Sequence, residues 1–164
     1  MTFNENICQR LSVEWDVMVR AFTDIPDERV LEPGAFGEWS LRDLMVHIAA
    51  WIEEGENALP SIVQGKRLSR SKRLSGGIDA FNARVKDKYR CLSPAKARAF
   101  LVVAYQRLSR KLSQLPTLDS KSQRRLVTRI RSDTYGHWRQ HIADVREWSV
   151  KSTATPPSHE TTGA

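Results

Sequence analysis

Cysteine is scarce in this 164-residue chain: only Cys8 and Cys91 occur, with no CxxC or other close spacing. A single disulfide is formally open, and buried reduced thiols are the expectation for a cytosolic chain. Long hydrophobic runs are also missing. No stretch approaches the roughly 20 apolar residues that a bilayer-crossing helix needs. The opening residues, Met1 to Asn6, lack the basic start and apolar stretch of a secretory signal, so a cytoplasmic location is expected. Nothing alternates with a period of two for long enough to be a strand. Helix-turn-helix, zinc-finger and RNP patterns are absent, as is the glutamate of HExxH, which removes the metalloprotease reading.

What remains is ordinary in bulk and uneven in charge. Apolar residues make up 40% and charged residues 27%, and the length suits one domain with a real core. The formal charge is +7, with much of the excess between Lys66 and Arg73 and between Lys121 and Arg131. Neither segment interleaves aromatic residues with its bases, as a single-strand binder would. The excess reads as solvated basic connections rather than one helical stripe, and no specific nucleic-acid partner is expected.

Helical periodicity organises most of the chain. Phe3, Ile7, Leu11, Trp15, Met18, Phe22 and Ile25 recur at three- and four-residue steps, ahead of Pro26 and Pro33-Gly34. After a turn-like Phe36-Gly37-Glu38-Trp39, Ser40 with Asp43 three residues on predicts a capped helix start. Leu41, Leu44, Met45, Ile48 and Ile52 form that helix's stripe, with Pro60 near its end. A polar connection from about Gly65 to Gly77 precedes a short helix over Ile78 to Tyr89, with Ile78, Phe81 and Val85 on one side. Ser93-Pro94 predicts an N-cap with proline at the first helical position, opening a helix that ends by Pro116. A second polar connection is expected from Thr117 to about Ser132, and a last helix from about Asp133 to Val150. The expected fold is all-α: a four-helix bundle with a long crossover and one extra short helix, over residues 1–151. Residues 152–164, including His159, form a tail with too little apolar content to fold.

Three histidines fall where a metal site inside such a bundle would want them. His137 and His141 lie four apart and so stack on one helical face, and His47 sits on the flank of the second helix's stripe. A three-His set leaves coordination positions open, as a catalytic site does. The competing reading is that these are hydrogen-bonded core histidines. Asp43 and Glu54 lie one turn before and two turns after His47 and could orient an imidazole or move a proton. Asp43 is equally explained by the helix cap, and Glu54 by an exposed carboxylate. Tyr135 could bring a phenol near the site or belong to the core. Trp39, Trp51, Trp138 and Trp148 could wall a pocket or serve bundle packing.

The residues also carry a likeness. Gly37 to Trp51 resembles the GEWS-x-x-D-x-x-x-H-x-x-x-W signature of the DinB-like (DinB/YfiT) four-helix-bundle superfamily. Thr134 to Trp148 is similar to its closing T-x-x-H-x-x-x-H helix, and Ile78-Asp79-Ala80-Phe81-Asn82 resembles the I-D-x-x-N stretch of the ClbS/DfsB and mycothiol-dependent maleylpyruvate isomerase-like branches. The resemblance implies a divalent metal, often zinc or nickel, held by His47, His137 and His141, and in many members a homodimer. It also implies thiol-dependent transferases, isomerases or proteins that destroy reactive small molecules.

Two functions are open on this basis. One is a metal-dependent enzyme, a thiol-dependent transferase or a hydrolase, acting on a small electrophilic substrate with Glu54 or Asp43 handling protons. The other is a non-catalytic module that sequesters a small molecule against Trp51, Trp138 and Trp148.

Overall fold

Thr2 opens the first helix, α1 (Phe3–Thr23), with a capping box: its hydroxyl accepts from the Glu5 amide and the Glu5 carboxylate accepts from the Thr2 amide. Such local signals recur through the computed structural model, which describes residues 1–66 and 74–151. Ser40 and Asp43 make the same reciprocal cap for α2 (Leu41–Val63). Ser93 accepts from the Lys96 amide ahead of α4 (Pro94–Ser113), with Pro94 at the first helical position as expected. Asp119 accepts from the Ser122 amide at the start of α5 (Ser120–Asp133). The short α3 (Gly77–Tyr89) lies between α2 and α4, and α6 (Tyr135–Lys151) closes the described chain.

The centre of the molecule is α2, which packs against α3, α4, α5 and α6. Every residue from Asp43 to Ala50 is buried, including His47 and both small residues Ala49 and Ala50. Helix α1 packs on α4 and α6 and completes the bundle. Its buried face is Ile7, Leu11, Trp15, Met18 and Phe22, the stripe read from periodicity. The link from α2 to α4 carries α3 as the extra short helix. The all-α bundle is therefore as expected, and no helix among the described residues is long and apolar enough to cross a membrane.

Several expectations need correction. The polar connection from Thr117 to Ser132 is mostly helix α5, whose buried positions are Ser122, Leu126, Ile130 and Asp133. Two of those four slots hold polar residues, so the spacing is helical while the apolar signal is thin. The last helix starts at Tyr135, two residues later than expected. Ile78 is exposed, whereas Phe81 and Val85 are buried on α3. Both cysteines are free, but Cys91 is exposed in the turn before α4 and Cys8 is only partly buried. Of the Lys66–Arg73 segment only Lys66 is described, and the tail over 152–164 also lies outside the described residues.

The break between α5 and α6 is a single residue. The Thr134 amide and hydroxyl both donate to the Ile130 carbonyl, closing α5. The Thr134 carbonyl then accepts from the His137 and Trp138 amides, both at 2.8 Å, and starts α6. This change of path lets α5 pack along α2 while α6 packs along α1. Gly136 makes the turn possible, because a Cβ there would sit 2.6 Å from the Arg131 carbonyl oxygen. A backbone oxygen cannot move aside cheaply. Gly136→Ala is therefore expected to cost about 1–3 kcal/mol, or roughly 2–4 °C of melting temperature per kcal/mol. A thermal melt unchanged from wild type would show that the junction is looser than described.

Candidate metal centre

The site forms where the second turn of α2 meets the first two turns of α6. His47 Nε2 lies 3.0 Å from His137 Nε2, and His141 Nε2 lies 2.8 Å from the same atom. The ligand atoms of all three lie within 4.8 Å of one another. His47 and His141 are buried, and His137 is partly open toward a cavity of about 410 Å³. The four-residue spacing of His137 and His141 puts both rings on one side of α6, and the burial of α2 supplies the third.

Aromatic rings fence this cluster. Phe36 stands edge-on to His141 at 4.8 Å, Trp39 to His47 at 5.1 Å, and Trp51 to His137 at 5.9 Å. Phe36 and Trp39 are brought there by the tight turn in which each backbone amide donates to the other's carbonyl. Trp51 packs against Phe81, and its indole N–H donates to the Asn82 side-chain oxygen at 3.2 Å. Trp138 and Trp148 lie elsewhere. Trp138 is fully buried against Trp15, and Trp148 stacks under the Arg29 guanidinium. Tyr135 is a core residue beneath Arg10. Of the four tryptophans considered from sequence, two border the histidines.

The carboxylates also divide. Asp43 accepts the Ser40 amide on one oxygen and the Arg42 guanidinium on the other, so the cap accounts for both oxygens. Glu54 is buried in α2 rather than exposed. A third acid, Asp133, lines the histidine cavity and pairs with Arg129 at 2.6 Å. Sequence reasoning gave no site role to Asp133, Arg129 or Asn82, although Asn82 closes the I-D-x-x-N stretch. The available signal was spacing: Asp133 is four residues before His137 and Arg129 four before Asp133.

Burial sets the charge state of these groups. Desolvation first, and then the other imidazoles, push His47 down to about 3, with the Asn82 side chain pulling weakly the other way. Desolvation lowers His137 to about 4, helped by His141, and lowers His141 to about 4 by itself. Asp133 moves oppositely, up to about 6. Desolvation outweighs the pull of Arg129, and Glu54 adds repulsion. At neutral pH the three imidazoles thus keep their lone pairs. The Nδ1 atom of each has no hydrogen-bond partner, and the nearest charged group to His141 Nδ1 is the Asp144 carboxylate at 3.8 Å. The other ring nitrogens face one another, and a neutral imidazole has only one N–H to give. The cluster is thus an underbonded set of nitrogen donors aimed at one point.

Comparison with known proteins agrees with this architecture. A family model described as the mycothiol maleylpyruvate isomerase N-terminal domain matches residues 11–139, and the chain belongs to that family, within the DinB-like superfamily. The match contains His47 and His137 and stops two residues before His141. A crystal structure of an uncharacterised protein from Escherichia coli UTI89 shares the fold, with a TM-score of 0.68 at 13% identity, covering 93% of this chain and 96% of that chain. No curated protein matches the chain.

The shifts have a sign that stability can report. In metal-free protein the histidines bind protons near pH 6.5 when unfolded but only near pH 3–4 when folded. The unfolded state holds more protons in that window, so stability falls as pH drops through it. Asp133 works the other way between its unfolded value of 3.8 and about 6, but it is one group against three. The urea midpoint of chelator-treated protein is expected to drop between pH 7 and pH 5, and to drop more steeply in Asp133→Asn. A flat midpoint in both would contradict buried neutral imidazoles.

Proposed function

We propose that this family member is a metal-dependent enzyme acting on a small electrophilic molecule, with His47, His137 and His141 holding one divalent ion. The observation that carries the reading is the convergence of three neutral imidazoles, two buried and one partly buried, whose ligand atoms lie within 4.8 Å of one another. The donor set fits the ion. A tetrahedral zinc with bonds of about 2.0–2.1 Å needs nitrogens a little over 3 Å apart, and the closest pairs here stand at 2.8 and 3.0 Å. Two nitrogens from one helix and one from another are a common way to build such a site in a bundle. Three ligands leave a position for substrate, and imidazole nitrogens suit zinc or nickel equally.

When bound, the ion would supply Lewis acidity, lowering the pKa of a thiol or water so that a nucleophile exists at neutral pH. The family's description points to mycothiol, and a low-molecular-weight thiol is the cosubstrate this reading takes. The chain's own groups do the rest. Trp51, Leu74 and Ile78 form an apolar wall of the cavity, where a small electrophile would be sheltered from water. Asn82 fixes the Trp51 ring through its indole N–H. Asp133, lifted to about 6 and held by Arg129, is poised to take and return a proton near neutrality, and Glu54 tunes it through its charge. Asp43 takes no part beyond the helix cap in this scheme.

Elemental mass spectrometry of untagged protein tests the core of the reading. About one zinc, nickel or iron per chain is expected, and its loss in His137→Ala. No metal in either, even after incubation with divalent ions, would return the three histidines to bundle packing. In a thiol-plus-electrophile assay on the loaded enzyme, Asp133→Asn is expected to lower turnover by about 10²–10⁴-fold with metal content intact. An unchanged rate would remove Asp133 from proton transfer.

A further inference from the structure

The basic run from Lys121 to Arg131 is neither a loop nor scattered. With α5 helical, Lys121, Arg124, Arg125, Thr128, Arg129 and Ser132 stand at i, i+3, i+4, i+7, i+8 and i+11, which is one face of the helix. These six residues line a second cavity of about 400 Å³. The reading of the charge as lying off any single helical stripe is corrected by this. The stripe also has a direction. Its last two members, Arg129 and Ser132, line the histidine cavity as well, so the two cavities adjoin.

We infer that the α5 stripe is an anion subsite, and that the ligand of the histidine centre carries a remote phosphate or carboxylate group which binds there. Four cations and two hydroxyls on one face offer only donors to such a group. Folding explains at most two of the four cations. Lys121, Arg125 and Arg129 are spaced four apart, an arrangement of like charges that weakens a helix. Only Arg129 has an ion-pair partner among the described residues, Asp133, and Arg125 donates to the carbonyls of Gly65 and Lys66. Lys121 and Arg124 make no ion pair there. An anion laid between them relieves the repulsion.

Geometry sets the ligand's size. At 1.5 Å of rise per residue, Arg125 lies roughly 12 Å along α5 from Asp133 and Lys121 roughly 18 Å. A molecule of about that length would reach from the imidazoles, past the apolar edge made by Trp51, Leu74 and Ile78, to the basic stripe. A small-molecule anion fits better than a nucleic-acid strand, because no aromatic ring stands on the stripe for a base to stack on. The identity of the reacting end rests on the function proposed above, while the anion subsite stands on α5 alone.

The test uses the full chain, with inorganic phosphate and phenyl phosphate as probes and phenol as the uncharged control, in calorimetric titrations at low salt. Lys121→Gln/Arg124→Gln is the variant, since neither side chain makes a hydrogen bond or ion pair to another element among the described residues. Both phosphates are expected to bind wild type, phenyl phosphate more tightly, with affinity falling about tenfold or more in the variant and with added salt. Phenol should bind the two proteins alike. His137→Ala should strip the metal yet leave phosphate affinity within about twofold, which separates this inference from the metal reading. Absence of phosphate binding at millimolar concentration, or equal binding by wild type and variant, would overturn it. So would a single-stranded oligonucleotide that outcompetes phenyl phosphate on wild type and is lost in the variant, since the stripe would then serve a macromolecule.

Discussion

A single backbone carbonyl organises this molecule's chemistry. Thr134 closes α5 with its amide and hydroxyl and opens α6 with its oxygen, so two helices with different partners meet within one residue. The polar groups that α5 and α6 bring to the candidate site are counted from that point. Asp133 precedes it, on the face turned to α2, and His137 and His141 follow on the face that meets His47. Without the break, the helix that carries Leu126 and Ile130 onto α2 could not also carry Trp138 and Val145 onto α1. The close approach at Gly136, where any side chain would strike the Arg131 carbonyl, is the local condition for it.

The centre of α2 supplies the second condition, which is dryness. A helix contacted by four others has no solvent face over Asp43 to Ala50, so a histidine in that stretch must enter neutral or bring a partner. His47 enters neutral and faces two more imidazoles in the same state. Asp133 meets the same pressure and responds by moving toward protonation, despite Arg129 beside it. Nitrogen lone pairs and a carboxyl group near its midpoint therefore share one cavity, a chemical asymmetry produced chiefly by burial.

How much of this was legible in the chain depends on how many apolar residues each element carries. Helices α1, α2 and α4 announce themselves because five or more apolar residues sit at helical spacing, with capping residues ahead of them. The histidine trio was legible for a similar reason, since an i, i+4 pair is a one-helix pattern. Helix α5 was not. Its buried face flanks Leu126 and Ile130 with Ser122 and Asp133, and the eye follows the arginines instead. Missing that helix also concealed Asp133 and Arg129, whose place in the site exists only once α5 is wound. Among the tryptophans, periodicity put Trp51 and Trp138 equally near the interior. Only tertiary packing sends one to the histidines and the other to Trp15.

The unsatisfied polarity of the interior bears on whether the cluster is packing or a site. Away from the histidines, several buried polar groups find partners, although Trp138 Nε1 and one Arg29 Nη do not. Glu56 is held by Arg107 and Lys111, Asp43 by Ser40 and Arg42, and Thr134 by Ile130. At the cluster, three Nδ1 atoms have none. A buried polar atom without a partner costs about 1–3 kcal/mol, and apolar side chains of similar size would fill the same space at no such cost. Packing alone therefore favours leucine over histidine at all three positions. An ion changes that balance at the other ring nitrogen: the Nε2 lone pairs that crowd together in the empty cluster are what a metal binds, and Nδ1 is then left to hold the proton.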